Sequence, residues 1–135
     1  DIRFPAGANT ELQGAEWKSD ERGVGAVFVG HNKLGDNEWS VDNHITAFEE
    51  GRVFEWSTVD PTNPGARWRF EIMDQGVGSR LRFSVETGTS NNITYPMAMA
   101  SDDPVAVLNG RRKGIKANMQ KTLDAMKAAV EGARA

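Results

Sequence analysis

Any chemistry in this chain would have to come from few side chains. His31 and His44 are its two histidines. Histidine titrates near neutral pH, so the two would suit a general acid/base pair. But His31 follows Gly30 at the end of a strand-like run, and His44 alternates with Ser40, Asp42 and Thr46. That pattern reads as a wet face, where a solvated or structural histidine is the stronger reading. A two-histidine metal site with Asp42 or Glu55 matches no ligand spacing, so no metal is expected. Glu55, between Phe54 and Trp56, falls on the face that meets water.

Asn32 and Asn43 fall on the faces that carry Phe28 and Val41. A buried asparagine needs hydrogen-bond partners, which a ligand carbonyl or a β-bulge would supply. Tyr95, the one tyrosine, precedes a long helical stretch together with Met97 and Met99. A loop there could cover a cavity mouth. Arg111-Arg112-Lys113 fits a solvated helix face better than a site for a phosphate or an anionic lipid head group.

Other motifs are missing. There is no P-loop and no Gly-x-Ser-x-Gly elbow, and Gly76-Val77-Gly78 lacks the third glycine of a dinucleotide fingerprint. No cofactor is expected. The absence of cysteine excludes a thiol nucleophile, a disulfide scaffold, Cys-type zinc and an iron–sulfur cluster. Catalytic residues therefore stay unassigned.

The whole chain has 135 residues, the length of one domain, and a net charge of −3. A mildly acidic chain does not fit a nucleic-acid footprint. With 39% hydrophobic residues it can build a core. No apolar run has the length of a membrane span. The chain opens Asp-Ile-Arg with no signal-peptide pattern, and a cytoplasmic location is expected.

The elements that must hold these residues follow from the pattern. The first twenty residues read as irregular. Gly23 to Asn32, Glu38 to Phe48 and Val53 to Val59 read as strands. Ala66 to Met73 and Gly78 to Thr87 alternate most cleanly. Trp68, Phe70, Ile72, Leu81, Phe83 and Val85 lie on one face, with arginines and glutamates on the other. Gly88 to Asp102 reads as a long loop, within which Gly88 to Tyr95 could extend into a sixth strand. Asp103-Pro104 starts a helix, and Ile115, Met119, Leu123, Met126 and Val130 form its apolar stripe. The expected fold is α+β: an antiparallel sheet with one long C-terminal helix across its apolar face.

Several phrases, in this order, resemble the START-like (SRPBCC, Bet v 1-like) superfamily, and within it the bacterial polyketide cyclase/dehydrase group. They are LQGAEW at Leu12 to Trp17, GVGAVFVGHN at Gly23 to Asn32 and GRVFEWST at Gly51 to Thr58. RWRFE at Arg67 to Glu71, SRLRFSVETG at Ser79 to Gly88 and NMQKTLDAMKAAVEG at Asn118 to Gly132 follow. The resemblance implies a helix-grip fold over residues 1–135, a single domain. The family's usual first strand and helix, ahead of the segment matching Asp1-Ile2, are missing. Truncation at the N-terminus is the expected reason, with cover from another chain as the alternative.

The resemblance also implies a cavity for a small hydrophobic molecule such as a lipid or polyketide. Its expected lining is Phe28, Trp39, Val41, Asn43, Ile45, Phe54, Trp56, Trp68, Phe70, Leu81, Phe83, Val85 and Tyr95, with Ile115, Met119, Leu123 and Met126 from the helix. Two alternatives stand beside this reading. One is a cyclase or dehydratase using Asn32, Asn43 or a histidine to polarise a carbonyl. The other is a non-catalytic subunit that pairs through an exposed sheet edge. A homodimer is also expected.

Overall fold

The structure is a computed structural model that describes residues 1–8 and 10–134. After a 3₁₀ turn at Phe4–Gly7 come strands β1 (Leu12–Trp17), β2 (Val27–Leu34), β3 (Asn37–Glu49), β4 (Val53–Thr58), β5 (Ala66–Asp74) and β6 (Ser79–Thr87). Helix α1 (Thr94–Met99) and the long helix α2 (Pro104–Arg134) complete the chain. The strands form one sheet in sequence order, each antiparallel to the next. The α+β architecture expected above is the one observed. The sixth strand, however, is β1 and not an extension into Gly88 to Tyr95.

Strand β1 lies in the segment expected to be irregular. Gly14 and a bulge between Leu12 and Gly14 spoil its alternation. What makes it a strand is its partner: Ala15 pairs with Gly30 and Trp17 with Phe28 across β2. Helix α1 lies in the segment expected to be a loop. Pro96 falls in its first turn, where a missing N–H costs little, and Asn92 Oδ1 accepts from the Tyr95 N–H at 2.8 Å. Helix α2 starts where Asp103-Pro104 predicts, with Asp103 Oδ1 accepting from the Ala106 N–H at 3.1 Å. Its 31 residues span about 46 Å, so Gly110 and Gly114 do not interrupt it.

The two faces of the sheet differ sharply. On the convex face, Arg67 pairs with Glu86 and Glu71 with Arg82 in register. Glu55 sits among them with its side chain only 15% exposed, and so is not open to water as its sequence position implied. Thr46 Oγ1 donates to it at 2.7 Å and Arg69 Nη1 at 2.9 Å, while Arg69 Nε bonds Glu71. Burial pushes the Glu55 carboxyl up. The bonds from Thr46 and Arg69 and the charges of Arg69 and Arg67 outweigh it, so its pKa lies below the ordinary glutamate value.

On the concave face, packing is sparse. Among the described residues, the fully buried apolar cluster is Ala15, Ala26, Phe28 and Ile45, with Ile2, Trp17, Phe54 and Trp56 packed against it. Ala98 is buried separately in α1. The core therefore occupies the β1–β4 end of the sheet. The remaining apolar side chains face open space beneath α2.

The Glu55 network predicts a pH signature. A carboxyl whose pKa is lowered by folding stabilises the fold above its unfolded pKa, and that contribution is lost as pH falls through the folded pKa. Glu55→Gln is expected to cost about 1 kcal/mol near pH 7. Urea unfolding should show the gap between variant and parent closing as pH drops below the ordinary glutamate range.

Candidate functional site

The concave face is a wall of rings. Trp56 on β4 is its hub, with ring centroids 6.1 Å from Phe28, 5.4 Å from Phe54, 6.2 Å from Trp68, 5.8 Å from Phe70 and 6.3 Å from Phe83. Phe70 and Phe83 stack at 4.0 Å across β5 and β6. Period-two alternation places these side chains on one face, and antiparallel pairing of Trp56 with Trp68 and Phe70 with Phe83 brings them level. A bulge between Ile45 and Ala47 turns Phe48 to the same side, edge-on to Phe54 at 6.3 Å.

Above this wall lies a cavity of about 1230 Å³, open at its mouth and roofed by α2. Leu108, Ile115, Met119 and Met126 form its helical side. Ile2, Phe4, Pro5 and Leu12 close the N-terminal end. All four tryptophans, Trp17, Trp39, Trp56 and Trp68, line it.

One end of the cavity is polar. Glu11 and Arg111 form a two-pronged ion pair there, Nη1 to Oε2 at 2.8 Å and Nη2 to Oε1 at 2.5 Å. Their side chains are only 14% and 18% exposed. Beside them, Asn118 Oδ1 accepts from Thr10 N at 3.4 Å and Thr10 Oγ1 at 3.2 Å. These contacts clasp α2 to the start of β1. The Arg111 Nε–H is buried and has no hydrogen-bond partner. On the sheet side, Asn43 Nδ2 donates to the Phe28 and Val41 carbonyls at 3.3 and 3.2 Å. Both amide hydrogens are thus spent on backbone, and Oδ1 is what Asn43 has to offer a bound molecule. The cavity floor between Asn32 and Asn43 is Gly30. A Cβ there would come within 3.2 Å of Asn43 Nδ2.

The far rim is two loops locked together. Asn91 Nδ2 donates to the Asn63 carbonyl at 2.8 Å and Asn63 Nδ2 to Ser90 Oγ at 3.0 Å. Val59 and Asn91 both have positive φ, 70° and 56°. For a β-branched residue such as Val59 this is strained backbone. Its amide donates to the Asp42 carbonyl at 2.7 Å, and its carbonyl accepts from His44 Nε2 at 3.1 Å.

No protein-family model matches the sequence, and no curated protein matches it. Solved structures do. A Polyketide_cyc-like protein from Corynebacterium glutamicum is 19% identical, with a TM-score of 0.62 over 91% of this chain and 76% of its own. A major latex-like protein from Panax ginseng is 13% identical, with a TM-score of 0.60 over 95% of this chain and 80% of its own. A protein from Mycobacterium smegmatis is 14% identical, with a TM-score of 0.54 over 89% and 70%. The chain has the helix-grip fold. At these identities the likeness speaks for the fold alone, and it agrees with the START-like resemblance in the sequence.

Within the helix-grip frame, Phe28, Trp39, Val41, Asn43, Ile45, Phe54, Trp56, Trp68, Phe70, Leu81, Phe83, Tyr95, Ile115 and Met119 all stand on the cavity wall. Asn32 and Met126 stand there too. Leu123 and Val85 do not. Leu123 follows Thr122 by one residue, about 100° further round the helix, and so turns to the flank. Val130 reaches the cavity edge but stays 57% exposed. Met97 and Met99 are outward, 55% and 51% exposed, and do not cover the mouth. Both histidines face away from the cavity. His31 Nδ1 shares a hydrogen bond with Ser40 Oγ at 2.7 Å, and its Nε2 lies 3.7 Å from Glu16 Oε1. Sequence reasoning missed the Glu11–Arg111 clasp and the N-terminal wall.

The clasp carries a stability prediction. Glu11→Gln removes the charge that compensates Arg111 and is expected to cost about 2 kcal/mol by chemical unfolding. The rim carries another. A Cβ at Gly65 would fall 2.0 Å from the Asn91 carbonyl oxygen, so Gly65→Ala must force the loops apart. A drop of about 2–3 kcal/mol in the same assay is expected.

Proposed function

We propose that this chain binds a small hydrophobic or amphipathic molecule in the cavity between the sheet and α2. The observation that carries this reading is a ring-lined space of about 1230 Å³ in a protein whose fully buried apolar core is only a small cluster at one end of the sheet. Drug-sized ligands occupy cavities of roughly this scale, apolar with a few placed polar groups. The neighbours' fold class and the START-like resemblance support the same reading. The aromatic wall suits a flat apolar body. Asn43 Oδ1 accepts only, so it suits a hydroxyl or amide donor on the ligand's polar end. The methionines on α2 adapt to more than one ligand shape.

A cyclase or dehydratase reaction in this space would have to run without histidine. It would depend on Asn32, Asn43, Tyr95 or Glu11, and Glu11 is already committed to Arg111. Ligand binding needs none of these to act as an acid or base.

The test is a fluorescence titration with phenylnaphthylamine, a neutral apolar probe. Because every tryptophan lines the cavity, a bound probe should quench indole emission and light up by energy transfer in a saturable way. Ile115→Trp, which places a large ring in the open space, should weaken binding by about tenfold or more, equivalent to roughly 1.4 kcal/mol. Non-saturable binding, or binding indifferent to this substitution, would refute the reading.

A further inference from the structure

The charges of this chain are segregated. Residues 104–135, essentially α2, hold seven Lys and Arg against two Asp and Glu, a net +5. Residues 1–103 hold nine against seventeen, a net −8. The cations of α2 are not consumed by the cavity, apart from Arg111 and, at the cavity's edge, Arg112. Arg112, Lys113, Lys116 and Lys127 are all exposed. Helical spacing sets Arg112, Lys116 and Lys127 on one side of the helix over about 22 Å, with Lys113 beside them. The acids on the helix, Asp124 and Glu131, are exposed as well; Lys127 reaches Glu131 at 3.9 Å.

The same helix face starts with an exposed apolar residue, Val105, two turns before Arg112 and 66% exposed. Met97 and Met99, at the adjoining end of α1, are more than half exposed. Three apolar side chains thus protrude beside a row of cations, at the end of the fold where Tyr95, Leu108 and Arg112 line the cavity. Asp102 and Asp103 are the acids within this patch, and Asp103 caps α2.

From this juxtaposition we infer that the outer face of α2, with Met97, Met99 and Val105, docks on an anionic phospholipid surface. The cations meet the head groups and the apolar tips enter the interface between head groups and acyl chains. The −8 remainder is repelled by the same surface, so the chain can approach only helix first. Docked this way, the end of the cavity lined by Tyr95, Leu108 and Arg112 lies near the membrane, where apolar molecules are concentrated. The inference stands on the surface alone and does not require the cavity to be occupied.

The experiment is co-sedimentation of the full chain with vesicles of phosphatidylcholine, alone or mixed with phosphatidylserine. Binding is expected only to the mixed vesicles and should fall steeply as salt is raised. The variant K113Q/K116Q/K127Q, whose three positions lie outside the cavity lining, folded by circular dichroism and still able to take up phenylnaphthylamine, should bind about a hundredfold more weakly. Met97→Ser with Met99→Ser should weaken binding while leaving its salt dependence in place. Equal binding of parent and triple variant, or no phosphatidylserine dependence, overturns the inference. Salt-sensitive self-association by light scattering without vesicle binding also overturns it, because the cationic face would then be meeting the acidic side of another copy. Probe uptake reports on the cavity separately, so the two readings fail independently.

Discussion

The concave face of the sheet is covered by rings that pack on each other and not on the helix. Trp56 lies within about 6 Å of five other aromatic rings, contributed by β2, β4, β5 and β6. These neighbours satisfy much of the demand for apolar contact within the plane of the sheet itself. The helix above is therefore not drawn down to close-pack on them, as it would be over a wall of small aliphatic residues. It is held along its first half by a polar clasp, Glu11 to Arg111 and Thr10 to Asn118. A stiff floor and a roof fixed along its first half leave a space between them.

The two sides of the sheet divide the work. Ion pairs on the convex face tie strand to strand. Glu55 is the deepest of these groups, bonded by Thr46 from β3 and Arg69 from β5. These pairs add to the backbone ladders from the convex side, while the concave side is left to the rings. The strained Val59 and the locked loops around Gly65 and Asn91 fix the far rim in the same way, by backbone and side-chain hydrogen bonds and not by burial. Both histidines belong to the convex scaffold, and His44 holds the Val59 carbonyl in place.

How much of this was legible depends on how local the signal is. Strands β5 and β6 alternate cleanly, so their faces, and with them Trp68, Phe70 and Phe83, can be read from sequence. The same holds for the start of α2, because Asp103 and Pro104 act within one turn. β1 cannot be read this way: Gly14 and a bulge break its period, and only pairing with β2 makes it a strand. The α1 helix is six residues with a proline in its first turn, too short for a period to show. Leu123 fits a step of four, yet real helix geometry turns it off the cavity. The clasp was illegible for a simpler reason: Glu11 and Arg111 are 100 residues apart, and nothing local to either announces the other.

The order of the strands has one more consequence. They lie side by side in the order they are written, with each hairpin closed by a short or moderate connection. Each strand pairs with its neighbour in sequence, at small loop-closure cost. The helix follows all six strands, whereas its anchors, Glu11 and Thr10, precede them. The sheet can thus assemble as a growing ribbon before its roof exists. Seating the helix is then a long-range closure that joins residues 100 positions apart and encloses the cavity in the same step.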